Sequence, residues 1–201
     1  MIWIRHNLSM HADHQKYQAF CIRKSPATSV SQSCRCSKIR NAKEMRMIVY
    51  DSMKENEVTA VYDLVVRVFH EHVSPVYTER GVDKFLGMIS PAALLGANKG
   101  ESSFIIVTRQ NNRPIGMLVV REESHIALIF VDSQHQGKGI GKGLINEAIR
   151  MCQDRNPKLA AITVNSSPNS ISFYKGIGFN PLGDEVDEDG LRYTPMEKIV
   201  D

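Results

Sequence analysis

Val131-Asp-Ser-Gln-His-Gln136-Gly-Lys-Gly-Ile-Gly-Lys-Gly143 joins an apolar run at 126–131 to a segment in which Leu144, Ile145, Ala148, Ile149 and Cys152 recur at helical spacing. A glycine-rich link between a strand and a helix turns backbone N–H groups toward the positive end of the helix, where an anion is held. Glycine loses more freedom on folding than any other residue, so four of them in seven positions are costly for a plain connector. The stretch therefore reads as a phosphate-binding loop, with Lys138 and Lys142 adding positive charge. A Walker A loop is excluded, because the spacing Gly137 to Gly141 is too short and Gly143 stands where a hydroxyl is needed. A dinucleotide fingerprint is excluded too, because Gly137, Gly139, Gly141 and Gly143 alternate strictly. What remains is Gln136-x-x-Gly139-x-Gly141.

Outward from this loop the chain is regular. A short strand is expected at 47–50, and Val58, Val61, Leu64, Val65, Val68 and Phe69 predict an amphipathic helix. Val82, Phe85, Leu86 and Ile89 predict a second helix, stopped by Ser90-Pro91. The runs 104–108 and 115–120 flank Asn111-Asn112-Arg113-Pro114 and read as a hairpin. After the loop helix come a buried strand at 159–164 and a short helix at 169–177 stopped by Gly178. The turn Asp189-Gly190 separates a weak strand near Pro181 and Leu182 from a better one at 191–199. This order predicts an α/β (α+β) domain with a mixed, mostly antiparallel sheet flanked by helices.

The motif Gln136-x-x-Gly139-x-Gly141 resembles the pyrophosphate-binding signature of the GNAT superfamily of N-acetyltransferases. Asn169-Ser-Ile-Ser-Phe-Tyr174-Lys-Gly-Ile-Gly-Phe179 is similar to that family's second block, and Tyr193-Thr-Pro-Met196-Glu-Lys to its last strand. The likeness spans about 47–200. It implies a GNAT-like fold, acetyl-CoA as donor and co-substrate, no metal, and a small-molecule or peptide amine as acceptor that attacks the thioester directly. By the same resemblance Gln136, Gly137, Lys138, Gly139, Ile140, Gly141 and Lys142 hold the pyrophosphate. The backbone of Ile129, Phe130 and Val131 then pairs with the pantetheine arm, and an N–H near Val131 polarises the carbonyl.

Such a reaction needs a base for the amine, a donor for the oxyanion and an acid for the leaving thiolate. Tyr174 stands where the family often places the acid, and a phenol of pKa about 10 suits a thiolate leaving group. His125 is the candidate base, at a strand start where several relatives carry Glu. Asn165 and Asn169 are candidates to bond the CoA arm. Each has a plainer account: packing for Tyr174, a polar strand start for His125, helix capping for the two asparagines. Glu122 and Glu123 read as an exposed turn; His70 and His72 could line the acceptor side but read better as surface histidines; the acidic run at 184–189 could attract a cationic amine but reads better as a solvated hairpin tip. A non-catalytic acyl-CoA-binding module is the alternative to an enzyme.

The chain has 201 residues, 42% of them hydrophobic, which is enough for one domain core and excludes wholesale disorder. Its net charge of +3 hides a split. Residues 1–46 carry 9 of the 25 basic and 2 of the 22 acidic residues, so the remaining 16 basic against 20 acidic leave the body mildly acidic and not a nucleic-acid binder. The head is expected to be a basic leader or upstream extension and 47–201 the acyltransferase domain. His11, His14, Cys34 and Cys36 lack the paired spacing of a zinc site, and no secretory signal precedes the body. No run is long enough for a membrane span. A cytoplasmic setting is expected, and a homodimer is left open.

Overall fold

The computed structural model describes residues 48–200. The head with His11, His14 and its three cysteines, and the first residue of the expected opening strand, lie outside them. Strand β1 (Val49–Ser52) leads into helix α1 (Val58–His72), whose apolar stripe Val61, Leu64, Val65, Val68 and Phe69 is buried as the 3.6-residue period requires. Helix α2 (Glu79–Met88) is capped by Thr78, whose hydroxyl accepts from the Gly81 N–H at 3.2 Å. Ser90-Pro91 does more than stop it. The Ser90 hydroxyl accepts from Ala93 N–H at 3.0 Å and Pro91 takes the first position of a further helix, α3 (Pro91–Lys99), which the weak periodicity of Ala-Ala-Leu-Leu-Gly had hidden.

Strands β2 (Phe104–Gln110) and β3 (Arg113–Arg121) form the expected hairpin, its two-residue turn made by Asn111 and Asn112 at φ 52° and 60°. Strand β4 (His125–Val131), helix α4 (Ile140–Arg155), strand β5 (Ala161–Ser166), helix α5 (Ile171–Gly176) and strands β6 (Asn180–Pro181), β7 (Val186–Glu188) and β8 (Leu191–Ile199) complete the order. The eight strands run β1-β2-β3-β4-β5-β8-β6, with β7 on β8, and every pairing is antiparallel except β4 with β5. The sheet is thus mixed and mostly antiparallel, as the sequence predicts. The acidic run is not a bare tip: it contains β7, and Asp189 in the β7–β8 turn is held by Arg80 at 2.8 Å and Lys84 at 2.9 Å from α2.

Two cores face away from each other across the sheet. One packs α1, α2 and α3 on Ile105, Val107, Met117, Val119, Ala127 and Phe130, with Phe69 stacked on Phe85 at 3.9 Å. The other packs α4 and α5 on Ile106, Leu118, Val120, Ile126, Ile129 and Val164. Val119 pairs with Leu128 but Val120 with Ile126, so Ala127 is an extra residue, a bulge that turns β4. Past it, β4 and β5 part. Only His125 with Thr163 and Ile126 with Val164 are paired, and the rest of both strands flank an open gap.

Candidate active site

The gap widens into a cleft of about 560 Å³, within the size range of small-molecule sites. Its walls are Ile129, Phe130 and Val131 from β4, residues 135–137 and 139–142 of the loop and the first turn of α4, Phe173 and Tyr174 of α5, and Val68, His72 and Val73 at the end of α1. The cleft therefore pierces the sheet. Ile129 and Tyr174 belong to the core under α4 and α5, Val68 and Phe130 to the core under α1.

Asp132 donates its N–H to the Ile115 carbonyl at 2.8 Å and so faces β3. Backbone groups alternate along a strand, so Val131 and Ile129 turn theirs the other way, into the gap. The Gln136 side-chain amide donates to the Val131 carbonyl at 3.0 Å, which covers the acceptor and leaves the N–H side of Val131 toward the cleft. At the start of α4, Gly139 is the N-cap with φ 81° and Gly137 has φ 72°, a left-handed backbone that a side chain resists. No side chain caps α4, so its first N–H groups and the dipole of 16 residues point at whatever occupies the cleft. The four glycines do not share one task. A Cβ on Gly141 would lie 3.0 Å from the Phe173 ring, and one on Gly143 would lie 2.2 Å from the Tyr50 hydroxyl on β1, facing away from the cleft.

A polar network fixes the loop to α1. Asp132 bonds Arg67 at 2.5 Å, the Gln134 N–H at 3.0 Å and His135 Nδ1 at 3.2 Å, and His135 Nε2 reaches Gln110 at 3.1 Å. Burial alone raises the Asp132 carboxyl, but the His135 and Gln134 hydrogen bonds and the Arg67 charge outweigh it and hold the carboxyl below its ordinary range.

Tyr174 is fully buried at the cleft wall, and its hydroxyl has no hydrogen-bond partner among the described residues. An orphaned buried hydroxyl costs roughly 1–3 kcal/mol, and Tyr174 carries one at the cleft wall. Burial pushes the phenol up, which keeps it protonated and a donor at neutral pH. Asn169 also lines the cleft and donates to the His72 carbonyl at 3.1 Å, tying α5's approach to the end of α1.

Three predicted residues are not brought there. His125 stands at the opposite end of β4 from Val131, with Nδ1 2.9 Å from the Thr163 hydroxyl, and burial pushes it down to about 4, so it is neutral and a weak base. Asn165 lies on β5 opposite Pro195, outside the cleft wall. The Lys138 ammonium donates to the Gln134 carbonyl at 2.8 Å and staples the loop instead of facing the cleft, whereas Lys142 does line it. Sequence reasoning did not place Val68, Val73, His135 or Phe173 in the site, and it favoured a surface position for His72. Phe173, beside Tyr174 in the second motif, and His135, within the loop itself, carried a local signal; Val68, His72 and Val73 reach the cleft from the end of α1, about sixty residues before the loop.

Residues 73–200 match the model of the acetyltransferase (GNAT) domain family. The peptidyl-lysine N-acetyltransferase YjaB of Salmonella typhimurium is 27% identical over 144 residues, 71% of this chain and 89% of that protein. Its Escherichia coli counterpart is 24% identical over 138 residues, 68% of this chain and 84% of that protein. Among solved structures, the PaiA N-acetyltransferase of Thermoplasma acidophilum in complex with coenzyme A superposes with a TM-score of 0.66 at 16% identity, covering 77% of this chain and 99% of that one. A GCN5-related N-acetyltransferase from Rhodopseudomonas palustris gives 0.65 at 18% identity, over 78% and 98%.

Proposed function

The chain belongs to the GNAT acetyltransferase family, and from that premise we propose that it carries the acetyl group of acetyl-CoA to a primary amine through the cleft between β4 and β5. The observation that carries this reading is the orphaned Tyr174 hydroxyl in the same cleft wall as the uncapped, glycine-led start of α4. Together they provide a proton donor and a phosphate cradle, spaced along one passage. The loop fits a pyrophosphate: left-handed glycines, free helical N–H groups and Lys142 all favour it. The β4 edge fits an amide-bearing arm, because Ile129 and Val131 present main-chain groups as a missing strand would meet them.

Acetyl-CoA supplies an activated thioester. Amine attack on it puts negative charge on the carbonyl oxygen, and the Val131 N–H stabilises that charge. As the carbon–sulfur bond breaks, the Tyr174 O–H gives its proton to the thiolate, and the proton that the attacking nitrogen sheds as the amide forms restores the phenol. The apolar walls Val68, Val73 and Phe130 exclude water and hold the amine in line. His125 has no part in this chemistry. We assign the catalytic unit to 47–201, since both cores close within the described residues. No helix of those residues is long and apolar enough to cross a membrane, and Cys152 is buried and free among the described residues. The naming of the YjaB relatives makes a lysine side chain in a peptide the first acceptor to test.

The test is thiol release from acetyl-CoA with lysine peptides, polyamines and amino acids as acceptors. Amine-dependent release above the hydrolysis background is expected. Tight acetyl-CoA binding with no release for any amine would make the chain a binding module.

A further inference from the structure

We propose that His72, Ser133 and Glu71 form a proton exit from the cleft, with His72 as the base that takes the proton of the acceptor ammonium; this rests on the acetyltransferase reading. A basic amine arrives protonated at neutral pH and has to lose that proton before it attacks. The donor's loop and α4 occupy one side of the sheet, so the acceptor comes from the other, past α1. There the walls Val68, Val73 and Phe130 have no group to receive a proton. Of the titratable side chains at this rim, Lys142 is a cation and His135 has both ring nitrogens engaged, Nδ1 by Asp132 and Nε2 by Gln110. His72 is engaged through one nitrogen only.

The tautomer of His72 follows from the donor inventory. Ser133 Oγ donates its single proton to Glu71 Oε2. The 2.9 Å contact between Ser133 Oγ and His72 Nε2 therefore has to be an Nε2–H donating to the serine oxygen. Nδ1 then carries the ring's lone pair. The backbone of His72 is pinned by Asn169 Nδ2 on its carbonyl at 3.1 Å, which holds the residue at the cleft wall. Glu71 lies 3.8 Å from His72 Nε2, close enough to stabilise an imidazolium, and its side chain is 41% exposed. It opens on a second, polar cavity of about 580 Å³ shared with Arg67, Gln110, Arg113 and Asp132. The three side chains thus lead from the cleft to water.

The transfer balances. The ammonium N–H bond breaks and a bond forms to His72 Nδ1. The Nε2 proton passes to Ser133 Oγ as the serine proton passes to Glu71. The carboxylic acid so formed loses its proton to water, the freed amine lone pair attacks the thioester, and the His72 ring, 47% exposed, regains its Nε2–H tautomer by exchange with water. Among charged groups facing this path, Glu71 favours the protonated imidazole, whereas Arg67 and Lys142 oppose it; Asp132 is already committed to Arg67 and His135.

The test uses the full chain. In ¹⁵N NMR, wild-type His72 is expected as the Nε2–H tautomer, a preference lost in Ser133→Ala. In turnover assays, His72→Gln is expected to lower kcat/KM by about 10²-fold for strongly basic alkylamines and far less for weakly basic alkoxyamines, which arrive deprotonated. Calorimetry is expected to find acetyl-CoA affinity unchanged, and added imidazole to rescue His72→Ala. An equal loss with every amine, or an Nδ1–H tautomer, would overturn the relay while leaving the acetyltransferase reading intact. A wild-type enzyme that turns over no amine overturns both.

Discussion

The two sides of the sheet are built by different means. Beneath α4 and α5, the groups proposed to face the donor come from short, contiguous pieces of chain, the edge of β4, the loop 136–142 and residues 169–174. Beneath α1, the groups proposed to face the acceptor, Val68, His72, Val73 and Phe130, meet only because α1 packs across β4. The first side is a device of local backbone geometry: left-handed glycines, an uncapped helix start, a strand edge left open. The second is a device of tertiary packing. Reaction chemistry common to many proteins can be written in a motif; the choice of partner is written in contacts.

Substitutions that separate these two devices have effects of graded size. Gly139→Val is expected to abolish measurable acetyl-CoA binding by calorimetry, because a β-branched residue resists φ 81° and would cover the first N–H groups of α4. A folded Gly139→Val protein with wild-type affinity would break the claim that backbone geometry holds the donor. Tyr174→Phe keeps the ring in its core and removes only the proton donor, so kcat is expected to fall by about 10²–10⁴-fold with affinity nearly unchanged. An undiminished single-turnover rate would show that solvent protonates the thiolate.

Gly143→Ala sharpens the comparison from within the loop. Its methyl would push the end of the Tyr50 ring aside while Ala gains about 1 kcal/mol as a helix former, so Tm is expected to change little and donor affinity to hold. Weakened affinity there would place Gly143 among the ligand-facing glycines. The smallest effect on turnover is expected for His125→Gln, which should be silent in the pH 7–9 rate profile. Its consequence is for stability. Since burial lowers His125 from 6.5 to about 4, the unfolded chain takes up a proton that the folded chain refuses as pH falls between those values. The stability present above 6.5 is lost toward 4, by roughly 3 kcal/mol, and His125→Gln is expected to flatten that window in pH-dependent denaturation. A matching change in kcat/KM would instead restore His125 to the reaction.

How much of this was legible follows the same division. The strand–loop–helix unit, the Asn111-Asn112 hairpin and the place of Tyr174 in the cleft wall could be read directly, because periodicity, turn chemistry and motif spacing are local quantities. Helix α3 escaped, since Ser90-Pro91 is both a stop for one helix and a cap for the next, and a nine-residue helix covering its neighbours with Ala and Leu shows little polarity. His125 was assigned to the cleft by its place in the strand order, but the bulge at Ala127 and the Thr163 contact give that end of β4 to the closed part of the sheet. His72 looked like any surface histidine at a helix end. Its role depends on Ser133 and Asn169, sixty and more residues away.

Two residue pairs are all that join β4 to β5. The seam between them is sparsely paired, and an arm laid along the β4 edge would splice it. A donor bound there adds its binding free energy to the fold, about 2.7 kcal/mol at a hundredfold excess over Kd. A passage that the donor completes predicts an ordered reaction: donor first, amine second, CoA released last. Product-inhibition patterns read that order directly: CoA should compete with acetyl-CoA alone, and the acetylated amine should not.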